Sequence, residues 1–192
     1  MKAAAILLLL LCSAAPRLTA QDTNTAPPEQ KAWLEYMTPG PMQEMLKSHE
    51  GKWKVTASVW MKPGDPPLTS DGDAESKMIF DGRYLQSEFH GTMMGQKFEG
   101  MSLDAYDNAL GEFRSVWIDN MGTGIMMLRG KMDPATKTIS YEGTVVDPQT
   151  KKEIDTWSTI TMTDADHQTM KMFSKIEGKK VKTMEMKYER AK

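Results

Sequence analysis

Apolar and polar residues alternate with a period of two along most of this chain, beginning at a tryptophan. The first such run has apolar side chains at every second position: Trp53, Val55, Ala57, Val59 and Met61. This alternation is typical of a β-strand with one buried and one solvent-exposed face. Comparable runs predict further strands near 73–80, 83–90, 96–106, 112–120, 124–132, 138–146, 153–162, 168–177 and 181–190.

Turn-forming residues separate these runs. Asp81-Gly82 is the strongest hairpin signal, and Asp133-Pro134, Asp147-Pro148 and Gly178 mark later connections. Many short strands with tight connections are typical of an up-and-down barrel or a sandwich. The sequence therefore predicts a single all-β domain over residues 51–190, an antiparallel barrel of about ten strands.

The segment before the first strand has a helical character. Pro28 and Pro41 can each occupy the first position of a helix, and Gly51 is a natural terminator. Trp33, Tyr36 and Met37 follow the i, i+3, i+4 spacing of one apolar helix face. Residues 29–50 are therefore predicted to form one or two short helices.

The N-terminus predicts export. Met1-Lys2 precedes an apolar run from Ala3 to Leu11, which has the length of a signal-peptide core and is too short to span a bilayer. We expect residues 1–20 to be a signal peptide cleaved near Ala20, and residues 21–28 to be a disordered lead-in. Cys12 suggests a lipoprotein, but Leu11 stands where a small residue should precede a lipidated cysteine, so Cys12 is interpreted as part of the apolar core.

Cleavage changes the chemistry of the chain. It removes the single cysteine, so the mature protein is expected to have no disulfide. It also removes Lys2 and Arg17, which leaves 22 basic against 26 acidic side chains and a net charge near −4. This balance gives no indication of nucleic-acid binding. No later apolar run is long enough for a transmembrane segment, and a periplasmic and a secreted location both remain open.

Gly51-Lys52-Trp53, where the helical segment meets the first strand, resembles the G-x-W signature of the lipocalin and calycin barrels. The resemblance implies that Trp53 closes the floor of the barrel. It also implies that a cation near the end of the last strand packs across that ring, and Arg190 matches this position.

Further segments are similar to a bacterial domain-of-unknown-function family (number 1579) grouped with lipocalin-like barrels. They are Asp81-Gly82-Arg83-Tyr84-Leu85, Met93-Met94-Gly95, Tyr106-Asp107 and the stretch from Trp117 to Gly124. This resemblance implies a fold and no established activity.

The segment from Trp117 to Gly124 is the most informative candidate site. If Trp117 points inward, it lines the cavity and Asp119 lies at its rim, where it could orient a small ligand. The competing interpretation, slightly favoured, is that Asp119 and Asn120 cap a tight turn whose glycines adopt positive φ.

Methionine is unusually frequent, with 18 residues. Thioether sulfur can bind Cu(I), but strand periodicity explains most of the methionines as core or pocket lining. If the last hairpin turns near Lys179, Met172 lies opposite Met186. We therefore predict no metal site and no cofactor.

Histidines and carboxylates give weak support to chemistry. A haem-binding barrel would need one proximal histidine, for which His90 or His167 could serve. Asp104 with Glu99, and Asp164 with Asp166, are interpreted as ordinary carboxylates. No catalytic motif is found, and catalysis inside the barrel would depend on Asp119, Glu88 and His90.

The sequence thus predicts an exported, non-enzymatic barrel that binds a small apolar or amphipathic molecule. The candidate ligand-binding residues are Trp117, Asp119, Met126, Phe98, Met172 and Met186, with Trp53 and Arg190 as the barrel floor. The alternative is a solid barrel that serves as a structural or protein-interaction module. Large inward residues such as Phe98 and Met186 favour the alternative, and the many Ser, Thr and Gly residues favour a cavity.

Overall fold

The computed structural model describes residues 27–192, so the predicted signal peptide and nearly all of the lead-in lie outside the described residues. Ten antiparallel strands form a closed barrel in which each strand pairs with its sequence neighbours and β1 pairs with β10. The predicted fold is confirmed. The strands are β1 (Gly51–Val59), β2 (Leu68–Ile79), β3 (Tyr84–Met93), β4 (Gln96–Asp107), β5 (Glu112–Asp119), β6 (Met126–Asp133), β7 (Thr138–Val146), β8 (Glu153–Met162), β9 (His167–Ile176) and β10 (Lys179–Arg190).

Two short helices precede the barrel, α1 (Pro28–Met37) and α2 (Pro41–Lys47), each with a proline in its first turn. α2 packs against β2, β3 and β4 and buries Leu46, whereas α1 buries no residue. Gln43 fixes α2 to the barrel, because its side-chain amide donates to the Tyr106 carbonyl oxygen (3.1 Å). No helix within residues 27–192 is both long and apolar enough to cross a membrane.

Inward-facing side chains, together with Leu46 of α2, form two packed groups that fill the helical end of the barrel and extend along its wall. One group surrounds Leu46 and Phe113, and the other surrounds Trp53 and Tyr188. Phe113 and Trp53 are each 1% exposed. The helical end of the barrel is therefore closed by packed side chains, and we call it the closed end. The rest of the interior is less densely filled.

The last hairpin differs in register from the sequence expectation. Its two-residue turn is Glu177-Gly178, and both residues have positive φ (49° and 77°), which suits a tight hairpin turn. With that turn and a bulge between Lys182 and Met184, Met186 pairs with Met170 and not with Met172. The displacement is two residues, so the same side chains still face inward.

Three strand ends also differ from the prediction. Phe80 is the last residue of the predicted second strand, but it lies in the following turn with positive φ (50°) and 72% exposure. β2 begins at Leu68, five residues earlier than predicted, because it pairs with β1 along nine consecutive residues. β6 begins at Met126, because the residues before it form a loop and not a strand.

Candidate functional site

The barrel encloses a cavity of about 560 Å³ between the packed closed end and the opposite end, which we call the mouth. Ile125 (65% exposed) and Val146 (64% exposed) line it at the mouth, so the cavity reaches solvent there. The volume is within the range of about 300–1,000 Å³ that is usual for small-molecule sites. All six predicted ligand-binding residues line this cavity: Trp117, Asp119, Met126, Phe98, Met172 and Met186.

An aromatic wall forms one side of the cavity. The Trp117 ring is stacked on Phe98 (centroids 6.2 Å apart, 17° between planes) and meets Phe89 edge-on at 5.1 Å. Gly100 makes this arrangement fit, because a Cβ at that position would lie 2.5 Å from Cζ2 of Trp117. The wall is therefore a preformed flat surface suited to an apolar or aromatic ligand.

Asp119 holds this wall in place. Its Oδ2 accepts a hydrogen bond from the indole N–H of Trp117 (2.7 Å), and its Oδ1 accepts one from the Met121 backbone N–H (2.9 Å). Asp119 thus lines the cavity and also caps the turn, so both interpretations of this segment describe part of its geometry. The expected positive φ at Gly122 and Gly124 was wrong, because neither residue adopts it.

Methionines form another part of the lining. Two adjacent cross-strand pairs of β9 and β10 consist of methionines: Met172 with Met184, and Met170 with Met186. Met126 on β6 pairs with Trp117 on β5. Flexible thioether side chains adapt to irregular ligands. Their part in binding stays a prediction.

The base of the cavity is polar, and the sequence reasoning missed it. Asp104, interpreted above as an ordinary carboxylate, is 7% exposed and lines the cavity beside Ser102, Ser115 and Tyr141. The Ser102 hydroxyl donates to Asp104 Oδ2 (2.9 Å). Burial raises the pKa of the Asp104 carboxyl, and the hydroxyls of Ser115 and Ser102 act in the opposite direction.

Strand parity could have identified Asp104. Phe98 was predicted to face inward, and Asp104 lies six residues further along the same strand, on the same face. The interpretation failed because Asp104 was paired with Glu99, which faces outward and forms an ion pair with Lys97.

The barrel floor lies beneath the cavity at the closed end. Trp53 pairs with Arg190 across β1 and β10, and the guanidinium lies 4.2 Å from the centroid of the indole ring. The indole N–H donates to the His49 carbonyl oxygen (3.0 Å). Gly51 has φ of 122°, and a Cβ there would lie 2.6 Å from Nη1 of Arg190, so the glycine of the G-x-W motif leaves room for the guanidinium.

The candidate catalytic and haem-binding residues do not converge. His90 lies on the outer face of β3 near the mouth, 3.5 Å from Asp73, and His167 is outside the cavity and bonds to Asp164. Glu88 is exposed on the outer face. Within residues 27–192 no group of three or more His, Cys, Asp or Glu side chains is arranged to hold a metal ion.

The fold and cavity define a lipocalin-like barrel with space for one small molecule. The chain belongs to the family described as protein of unknown function DUF1579, whose model matches residues 38–190. The resemblance found in the sequence is confirmed. Comparison with curated proteins gives no match.

Solved structures show the same fold at low sequence identity. The S-type phycobiliprotein lyase CPES of Guillardia theta matches with a TM-score of 0.57 and 11% identity, covering 83% of this chain and 97% of that one. Rv2717c of M. tuberculosis matches with a TM-score of 0.58 and 12% identity, covering 81% and 100%. One of these barrels is a lyase, so the fold alone does not separate a binding protein from an enzyme.

Proposed function

We propose that this protein is an exported, non-enzymatic barrel that binds one small apolar or amphipathic molecule in its cavity. The observation that carries the proposal is the cavity of about 560 Å³ with an aromatic wall on one side and methionines on another. In a barrel with a filled interior, neighbouring side chains would hold the Trp117 ring in place. Here the hydrogen bond to Asp119 holds the ring at the cavity surface.

The size of the cavity sets the scale of binding. A ligand that loses about 300 Å² of apolar surface gains about 7.5 kcal/mol before the cost of association. That cost is about 4 kcal/mol or more, so apolar burial alone gives weak binding. Tight binding therefore needs a larger apolar body or a polar contact within the cavity.

The test is a pair of substitutions on neighbouring residues of β1. Ala57 lines the cavity and Ser58 does not, so Ala57→Phe places a ring inside and Ser58→Phe places the same ring outside. Nile red, a neutral apolar dye, should fluoresce in the wild-type protein. Its affinity should fall about tenfold, or about 1.4 kcal/mol, in Ala57→Phe alone. Absence of dye binding to the wild type, or equal loss in both variants, would contradict the proposal.

A second candidate function rests on α1. Trp33 (64% exposed), Tyr36 and Met37 (49% each) form an apolar surface that the barrel does not cover. Exposed apolar surfaces are typical of protein-interaction sites. Trp33→Ser with Tyr36→Ser should abolish co-purification of a partner from envelope extracts and leave Nile red binding unchanged. Loss of dye binding in that variant would count against a separate interaction surface.

Export is supported by the sequence pattern of residues 1–20. Mass spectrometry of the protein from fractionated cells should give a mature N-terminus near Gln21 in the periplasmic or extracellular fraction. A full-length chain in the cytoplasmic fraction would contradict export.

A further inference from the structure

Two buried polar atoms at the base of the cavity have no protein hydrogen-bond partner. They are Oδ1 of Asp104 and the hydroxyl oxygen of Tyr141, on residues that are 7% and 3% exposed. Buried polar groups are nearly always paired, because leaving one unpaired costs free energy. Both residues line the cavity, although the two atoms themselves are fully covered, so a head group bound there meets them when the Asp104 and Tyr141 side chains turn toward it.

Tyr141 reaches this position over a glycine. Gly130 pairs with Tyr141 on one side and with Phe113 on the other, and a Cβ on Gly130 would lie 2.6 Å from the Tyr141 ring. Burial, followed by the negative charge of Asp104, raises the pKa of Tyr141 well above its usual value. Tyr141 therefore stays a neutral hydroxyl, and its oxygen can accept a hydrogen bond. It lies close enough to Asp104 for the Asp104 charge to affect its pKa.

The charges of the lining have one sign. Among the described residues no lysine or arginine lines the cavity, and its inward-facing carboxylates are Asp104 and Asp119. Asp71 and Asp73 alternate with the inward residues of β2 and expose their carboxylates on the outer face. Asp119 already has partners, because its two oxygens accept from the Trp117 indole N–H and the Met121 backbone N–H. Asp104 is the one with an oxygen, Oδ1, that accepts no hydrogen bond in the structure, although the Ser115 hydroxyl lies close to its carboxyl group.

We propose that the cavity selects amphipathic molecules with a cationic amine head group, which binds Asp104 and Tyr141 at the base while the apolar body lies against the aromatic wall. The inference rests on the proposed function and specifies its ligand class. An ammonium group carries three N–H donors, which suit the Asp104 carboxylate, the Tyr141 oxygen and the nearby serine hydroxyls.

The same geometry disfavours anionic ligands. A fatty-acid carboxylate at the base would face the Asp104 carboxylate in a buried site with no lysine or arginine to offset the repulsion. Alcohols should bind with an affinity between those of amines and carboxylates, because a hydroxyl group can donate one hydrogen bond to Asp104 and carries no charge.

Isothermal titration with three ligands of equal chain length tests the inference: octylamine, octanol and octanoate, at concentrations below micelle formation. We expect the wild type to bind octylamine about tenfold or more tighter than octanoate, as a charge-assisted hydrogen bond implies. Asp104→Asn should remove most of that preference. Tyr141→Phe should weaken octylamine binding to a smaller extent, and it provides a second variant if Asp104→Asn fails to fold.

Glu99→Gln is the matched control, because it removes one negative charge from the outer face of the same strand. It should keep the preference for octylamine. Equal binding of the three ligands, or an unchanged preference in Asp104→Asn, would overturn the head-group inference. If Nile red still binds in that case, the proposed container function stands. Failure of Nile red and of all three ligands would overturn both.

Discussion

Arg190 is predicted to contribute more to stability than any charge on the outer surface of the barrel. Its guanidinium lies on Trp53 and donates to the carbonyl oxygens of Ser48, Glu50 and Ala165, so it connects α2, β10 and the β8–β9 loop. Arg190→Ala removes all of these contacts at once.

The magnitude follows from the exposure of each contact. The partly buried hydrogen bond from the Arg190 guanidinium to the Glu50 carbonyl oxygen is worth about 1.5–3 kcal/mol, because its donor is charged. The cation–π contact adds about 0.5–1 kcal/mol, because the side chain is 29% exposed. We discount the ion pair with Asp166 to nearly zero, since it is solvent-exposed. The expected loss is about 2–4 kcal/mol, or roughly 4–16 °C in Tm for a protein of this size.

Urea unfolding followed by tryptophan fluorescence measures this loss. Arg190→Lys keeps the charge but not the forked geometry, so it should give an intermediate value. Arg129→Ala is the control, because Arg129 forms an exposed ion pair with Glu142 on the outer face, and it should change the unfolding free energy by less than about 0.5 kcal/mol. Equal effects of Arg190→Ala and Arg129→Ala would refute this account of the barrel floor.

Three other substitutions test the interior. Gly100→Ala should displace the Trp117 ring, cost about 1–3 kcal/mol and change the near-ultraviolet circular dichroism; an unchanged spectrum would contradict the close fit. The folded-state pKa of Asp104 is raised, so its charge costs stability that grows as pH rises above about 4. Asp104→Asn should therefore unfold at higher urea than wild type at pH 7 and at a similar concentration near pH 3, and the reverse order would be inconsistent with that cost. Burial lowers the pKa of His49, whose ring bonds to Gln168. The contribution of His49 to stability should therefore be complete above pH 6.5 and fall as the pH drops below that value. His49→Gln should flatten this decline in the urea midpoint, and an unchanged slope would show that other groups cause it.

Local signals predicted most of the fold. Period-two alternation and turn chemistry located ten strands, because both depend on neighbours in sequence. The error at Phe80 arose at a residue with positive φ, and the register error at Met186 arose because the hairpin turn lies at Glu177-Gly178, before Lys179. Such features depend on backbone geometry that a pattern of apolar residues does not encode.

The candidate site was predictable in its walls and not in its base. Trp117 and Phe98 were found because large apolar residues on an inward face signal a lining. Asp104 and Tyr141 were missed because their importance comes from meeting across several strands, over the space that Gly130 leaves. Pairing across the barrel determines this meeting, and no spacing along the chain reveals it.

The central claim is that the barrel carries a small molecule. Native mass spectrometry of the protein purified from its own cells, compared with the same sample after denaturation, tests it most directly. The account predicts a reproducible additional mass that is lost on denaturation and is reduced in Ala57→Phe but retained in Ser58→Phe. A bare polypeptide mass, unchanged after incubation with Nile red and octylamine, would contradict it.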